Sequence, residues 1–358
     1  MNDKILLFNE TFKLGKKYLP QYEIEKILQL NDGKFLCIHW KERDEFLILE
    51  KDFNIITKVK VDDEIYYITQ LKSGELIIVI NLYILIYNEK TYELIYKIYE
   101  EKRDRGGTEI LIELSNLTLV SCAYGAGYSG AYPIIFYEKK SNSENKIEYE
   151  YSYSNYDLIG IFCITEMKNN IIAVLMSFNY KVQDNYLFFF DYNQKKYLDN
   201  ELGIDLELFT RNSLVVINDK FLGASGKNAI YLIDMNEYKI IQKIDVINNK
   251  VSKIFSICPI CKINNFNFIS GDNDGNVHFF LWENNKFILK DSKNILEEEK
   301  KRIYDEITSL DPNYNNREFL LSSQQYIFKY IILLQNGDIL TLYDKIKIYK
   351  GKYECMNK

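Results

Sequence analysis

Seven times along this chain an apolar run, a short polar turn and a second apolar run follow one another. The turns fall at Gly33 (LNDGKFLCI), Gly74 (LKSGELIIV), Asn116 (LSNLTLV), Asn170 (MKNNIIAVL), Asp219 (INDKFLGA), Asn264 (INNFNFIS) and Gly337 (LQNGDILTL). Short apolar runs bounded by turn residues read as strands, and two of them joined by so brief a turn read as a hairpin. Successive turns are 41, 42, 54, 49, 45 and 73 residues apart. A near-constant period means one supersecondary module repeated, each copy burying its faces against the next. Composition agrees with strands: 15% of the residues are aromatic, 30 of them Tyr and 21 Phe, and such side chains fit a pleated surface. A two-sheet sandwich of unrelated strands has no reason to keep the period.

A second column runs in step with the first. Downstream of each hairpin another apolar strand ends in a bulky residue that an acidic or amide residue usually follows: Leu49-Glu50, Tyr87-Asn88, Tyr137-Glu138, Phe190-Asp191, Ile233-Asp234, Trp282-Glu283 and, departing from the rule, Tyr349-Lys350. The runs FISGDNDGNV (268–277) and LGASG (222–226) have the Ser-Gly and Asp-Gly strand-turn-strand character that goes with such a column. In these features the chain resembles the WD-repeat family over nearly its whole length. The resemblance implies an all-β, seven-bladed β-propeller spanning 1–358 as one domain, acting as a binding platform, with a six- or eight-bladed ring as the alternative count. The chain departs from the family in having no Gly-His dipeptide and only Trp282 at the Trp position, so the family's His-Ser-Asp-Trp hydrogen-bond network is not present in complete form. The last unit has little chain left for an outer strand, and the apolar segment 4–12 precedes the first unit with nothing to pair. An N-terminal strand at 4–12 is therefore expected to complete the last blade.

The long gap between the sixth and seventh hairpins calls for an insertion, expected at 292–324. Its segment NILEEEKKRIYDEI (294–307) has an Asn at a capping position, Glu297 and Glu298 four residues before Lys301 and Arg302, and Leu296, Ile303 and Ile307 near one face, which predicts a helix. Two connections stand out for their aromatic content. The first, YGAGYSGAYP (124–133), contains a formal GxGxxG, but a dinucleotide site needs a helix opening after the glycines and here a strand follows. It reads instead as a hairpin loop carrying Tyr124, Tyr128 and Tyr132. The second, FNYKVQDNY (178–186), carries Phe178, Tyr180 and Lys181 in the next unit. The connection EEKRDRGG (100–107) adds Arg103 and Arg105, while Glu100, Glu101 and Asp104 offset its cations. By the resemblance all three lie on one face. Aromatic and Arg side chains are the usual interface hot spots, so these eight residues form the candidate partner-binding surface.

Other function classes lack their residues. A formal net charge of -6 gives no positive field for a phosphate backbone, and no long apolar stretch or basic leader is present, so nucleic acid, membrane insertion and export are not expected and a cytoplasmic location is. Cys258 and Cys261 form the only CxxC, without the second pair a zinc site needs. His39 and His278 lie in apolar strands with no convincing nucleophile nearby, so neither a catalytic residue nor a metal or cofactor is assigned. The expected function is a non-enzymatic scaffold for proteins or peptides. The alternative is an enzyme or small-ligand binder using the central channel of the ring, which requires converging carboxylates on first strands that instead read as apolar and hydroxylic (YYIT at 66–69, IFCI at 161–164).

Overall fold

The computed structural model describes residues 13–18, 24–39, 42–100, 108, 110–122, 134–141, 147–153, 160–177, 185–198, 202–204, 213–226, 229–246, 257–272, 275–294, 328–335, 338–343 and 348–352. Among these residues all regular structure is β, and the strands form seven antiparallel sheets. The chain divides into two compact units, one spanning Pro20–Asp205 and the other combining Met1–Leu19 with Leu206–Lys358. The first strand, β1 (Lys13–Tyr18), belongs to the latter.

The Pro20–Asp205 unit holds four sheets in chain order. Sheet I contains β2 (Ile24–Gln29), β3 (Phe35–His39), β4 (Glu45–Leu49) and β5 (Ile55–Lys60). Sheet II contains β6 (Ile65–Gln70), β7 (Leu76–Ile80), β8 (Tyr83–Tyr87) and β9 (Leu94–Tyr99). Sheet III contains β10 (Ile110–Glu113), β11 (Leu119–Cys122), β12 (Ile134–Ser141) and β13 (Ile147–Tyr153). Sheet IV contains β14 (Gly160–Glu166), β15 (Ile171–Ser177), β16 (Asn185–Asp191) and β17 (Lys196–Tyr197), and β18 (Leu202–Ile204) pairs with the other end of β16.

The apolar runs are continuous rather than alternating because the middle strands are covered on both faces. In β7, Leu76, Ile78 and Ile80 join Leu36, Ile38, Phe46 and Ile48 of sheet I in one cluster. The intervening Ile77 and Val79 join Leu111, Leu119, Ile135 and Tyr137 of sheet III in another. Alternate residues of a strand point to opposite faces, so one unbroken run serves two interfaces. Sheet III repeats the device, turning Val120, Cys122 and Phe136 toward Ile164, Val174 and Phe190 of sheet IV. Each such side chain contributes about 1.5–3 kcal/mol when buried, which is why a sheet exposed on both faces would not survive alone.

In the other unit, sheet V contains β19 (Leu214–Val216), β20 (Phe221–Ser225), β21 (Ala229–Asp234) and β22 (Lys239–Asp245). Sheet VI contains β23 (Ile257–Asn264), β24 (Asn267–Asp272), β25 (Asn276–Glu283) and β26 (Lys286–Asn294). Ile230 and Leu232 of sheet V pack with Phe268, Phe280 and Phe287 of sheet VI, and the Phe268 and Phe280 rings stack at 4.6 Å. Sheet VII contains β27 (Phe328–Leu333), β28 (Asp338–Tyr343) and β29 (Ile348–Lys352), and β1 is its fourth strand, with Lys13 opposite Lys352 and Tyr18 opposite Ile348. An N-terminal strand does complete the last sheet, but at Lys13–Tyr18 instead of 4–12, a segment outside the described residues. The apolar run was the wrong signal. Described outermost strands are largely exposed, with a single buried residue in β9 and in β22 and none in β5, so a fourth strand needs little apolar sequence and KLGKKY can form one.

The expected turns at Gly33, Gly74, Asn116, Asn170 and Asp219 all join first to second strands, and Asn264 is the last residue of β23 before its turn. Gly337 falls outside the described residues, between β27 and β28. The second column also acquires a physical reason. Asn88, Asp191 and Asp234 end or follow the third strands, and the side-chain Oδ1 of each accepts two backbone N–H groups of the next turn, at 2.8 to 3.2 Å. Of the expected helix, only Asn294 is described, as the last residue of β26 opposite Asn276; residues 295–307 lie outside.

Candidate interaction surface

In a four-stranded antiparallel sheet, the connection between the second and third strands leaves from the same edge at which the chain enters the first. In sheet III, Ile110 pairs with Cys122 and Cys122 with Ile134, so the entry to β10 and both stems of the 123–133 connection stand in line. In sheet IV, Gly160 pairs with Ser177 and Ser177 with Asn185, the stems of the 178–184 connection. The two sheets run in the same sense, because at the opposite edge Ser115, in the β10–β11 turn, reaches Glu166 at the end of β14. Its amide donates to Oε1 at 2.8 Å and its hydroxyl to Oε2 at 2.9 Å. The stems of both aromatic connections therefore rise from one edge of neighbouring sheets. The candidate residues themselves, Arg103, Arg105, Tyr124, Tyr128, Tyr132, Phe178, Tyr180 and Lys181, lie outside the described residues.

Glu100 overturns one sequence reading. Counted above among charges that offset the arginines, it is 2% exposed. Its carboxylate accepts hydrogen bonds from Tyr137 Oη at 2.6 Å, Thr108 Oγ1 at 2.7 Å and Ser121 Oγ at 3.3 Å, three hydroxyls that are themselves buried. Its amide donates to the Leu82 carbonyl of sheet II at 2.8 Å. Ser121 sits on a second strand and Tyr137 occupies the bulky position of the second column. A buried carboxylate–hydroxyl cluster thus joins the entry to sheet III with its second and third strands. The sequence shows each residue but not their convergence, which spans 37 positions from Glu100 to Tyr137.

At the opposite edge a repeated cap joins sheets I to IV. The side chain that ends each first strand accepts the N–H of the preceding sheet's turn: Gln70 from Asn31 at 2.7 Å, Glu113 from Lys72 at 2.6 Å and Glu166 from Ser115. The corresponding residue of sheet V is Val216, which has no side-chain acceptor. The first strands are therefore less apolar than expected. Glu113 and Glu166 do not converge, however, because each is engaged at a different turn.

His278 is a strand residue whose two ring nitrogens are both satisfied within sheet VI. Its Nε2 lies 2.9 Å from Asp272 Oδ2 and its Nδ1 2.7 Å from Ser292 Oγ, and Asp272 accepts further bonds from the Asn276 amide and Nδ2. Burial pushes the Asp272 carboxyl up, but the His278 and Asn276 hydrogen bonds and the charge of His278 outweigh it and hold the carboxyl below its ordinary range. An ionised Asp272 accepts from the Nε2–H of His278. The constituents match a nucleophile, base and acid, yet the imidazole has no exposed surface from which to reach a leaving group. The chain fixes β24, β25 and β26 to one another. Cys261 lies within β23, and burial pushes its thiol up to about 11, against the lowered value that reactive thiols need. Among the described residues no three His, Cys, Asp or Glu side chains gather as a metal site, and no helix is long and apolar enough to cross a membrane.

Among the described residues, successive antiparallel sheets of four or five strands, packed face against face where the cores are described and with an N-terminal strand completing the last sheet, have the arrangement of a β-propeller fold. The comparisons agree at the level of fold. The WD40 β-propeller domain of Doa1 superposes with a TM-score of 0.60 at 12% identity, covering 96% of this chain and 97% of that one. The extracellular domain of BT4673, a B. thetaiotaomicron protein described as a one-component system, gives 0.58 at 14% identity, covering 97% of this chain and 41% of that one. No family model matches the sequence, and no curated protein matches it.

Proposed function

We propose that the chain is a single seven-bladed propeller serving as a non-enzymatic scaffold, which holds partner proteins or peptides on the edge bearing the 100–107, 123–133 and 178–184 connections. The observation that carries this reading is the common edge from which the stems at Cys122, Ile134, Ser177 and Asn185 rise, within two sheets joined by a shared core and by the Ser115–Glu166 cap. Three tyrosines, Phe178, Tyr180 and three cations of two connections, Lys181, Arg103 and Arg105, would then act together. With Glu100 buried, the segment from Glu101 to Arg105 sets three cationic side chains against two carboxylates, which suits an acidic partner better than the balance read from sequence alone. The net charge speaks against nucleic acid, and the workplace is the cytoplasm.

The test is photocrosslinking in the native cell with benzoylphenylalanine placed at Tyr128 or, on the opposite edge, at the exposed Asn116. Adducts should form from position 128 and be several-fold scarcer from 116. Equal yields, or a preference for 116, would remove the assignment of the edge. The channel alternative has no comparable support: Glu113 and Glu166 are the carboxylates ending first strands in sheets III and IV, and both are engaged by backbone amides.

A further inference from the structure

We infer that Ser292 is an activated nucleophile and a site of covalent acylation, taking the acyl group of esters and acyl phosphates whose leaving group departs as an anion. Ser292 lies on the outer strand β26, exposed and directly opposite His278 of β25. Its Oγ is 2.7 Å from His278 Nδ1, and His278 Nε2 is 2.9 Å from Asp272 Oδ2, so a hydroxyl, an imidazole and a carboxylate stand in series. Only the hydroxyl end reaches solvent, since the His278 and Asp272 side chains are 0% and 5% exposed. Asp272 is fixed by the Asn276 amide and Nδ2, and Asn276 in turn by Asn294 Nδ2. Its carboxyl, held below the ordinary range, stays ionised and can support an imidazolium beside it. A neutral imidazole that donates from Nε2 to Asp272 keeps its lone pair on Nδ1, the nitrogen facing Ser292. In the acylation, Oγ bonds to the acyl carbon and the bond from that carbon to the leaving group breaks, its electron pair going with the leaving group. The Oγ proton passes to Nδ1, leaving an imidazolium against the Asp272 carboxylate. Two features hold the chemistry to this one step. The Ser292 amide donates to Asp291 Oδ1 at 2.8 Å and so is not offered to a developing oxyanion, which is why the donor must already be activated. His278, without exposed surface, can neither protonate a basic leaving group nor draw a proton from water to hydrolyse the ester. The acyl-serine therefore persists, which makes Ser292 a modification site and not a centre of turnover, independent of the interaction edge.

Exposure of the intact chain to p-nitrophenyl acetate tests this, with acetylation located and timed by peptide mass spectrometry. Assistance by a positioned base is worth about 10²–10⁴ in rate, so Ser292 should acetylate at least about a hundredfold faster than Ser73, an exposed serine of the β6–β7 turn. His278→Gln removes the base and should slow Ser292 by at least about a hundredfold, toward the rate of Ser73. If that variant does not fold, Asp272→Asn, which keeps the imidazole but not the charge that supports it, should slow Ser292 by at least about tenfold. The acetyl group should stay on Ser292 once excess reagent is removed, and wild type should release no more than one p-nitrophenolate per chain beyond what Ser292→Ala releases. Equal rates at Ser292 and Ser73, or a Ser292 rate unchanged in a folded His278→Gln or Asp272→Asn variant, would overturn the nucleophile. Sustained release that Ser292→Ala abolishes would overturn the restriction to a single step.

Discussion

Asp272 links the buried side chains of sheet VI to a pH dependence whose direction is fixed. Its carboxyl lies below the ordinary value of 3.8 in the folded protein, burial being outweighed by His278 and Asn276. A group whose folded pKa is depressed contributes stability above its unfolded value and loses it as pH falls through the folded one. Asp272→Asn should therefore be less stable than wild type near pH 7, and urea denaturation should show the difference shrinking below about pH 4. A constant difference would mean that the carboxylate's charge plays no part. Gly74 illustrates a second kind of residue constraint. It closes the β6–β7 turn at φ 107°, and a Cβ there would collide with the Glu89 carboxylate. The Glu89 carboxylate is the far end of a flexible side chain and can swing aside, so Gly74→Ala should cost the backbone strain alone, about 1–2 kcal/mol in an equilibrium melt.

Among the elements, the hairpins and the second column could be read from sequence because both express strong local rules: apolar runs bounded by turn residues, and an acidic or amide side chain capping the turn after a third strand. Other features could not. β1 leaves no apolar trace in KLGKKY, and the Glu100 cluster leaves none because its members meet only once sheets II and III pack. The interior caps Gln70, Glu113 and Glu166 do leave a trace, a Gln or Glu directly before the buried Leu71, Leu114 and Met167. Its meaning emerges only with the neighbouring turn in place. Glu166→Ala removes the acceptor for Ser115 and Tyr192 and should cost about 1 kcal/mol, modest because the Ser115 amide can turn to water. Hydrogen exchange should quicken at Ser115 while the Lys72 amide, capped by Glu113, stays unchanged; exchange altered at both would contradict a local cap. The outer strands carry a further regularity. Ile56, Ile95 and Ile241 are extra residues at bulges in β5, β9 and β22, each around two-fifths exposed. A bulge twists an outer strand away from flat pairing, which protects these edges from association.

For the whole molecule, the pairing of β1 with β29 joins the two ends of the chain in one sheet. Deleting residues 1–18 leaves β29 with an unpaired edge. Thermal unfolding should register a loss of about 3–5 kcal/mol, on the scale of a strand's backbone hydrogen bonds, and light scattering should register association through that edge. A truncated chain as stable and as dispersed as the full one would show that β1 is dispensable to the fold. The architecture was legible because its period belongs to the entire chain, whereas the proposed interaction surface shows in the sequence only as unusual composition in three connections that lie outside the described residues. The account turns on those connections. The most direct measurement is the affinity for captured partners of the variant Tyr128→Ala, Phe178→Ala, Arg105→Ala. Truncated hot-spot side chains typically cost about 2 kcal/mol or more, so affinity should fall at least about tenfold while the melting temperature stays within a few degrees. Undiminished capture by a folded variant would contradict the assignment of this edge as the binding surface.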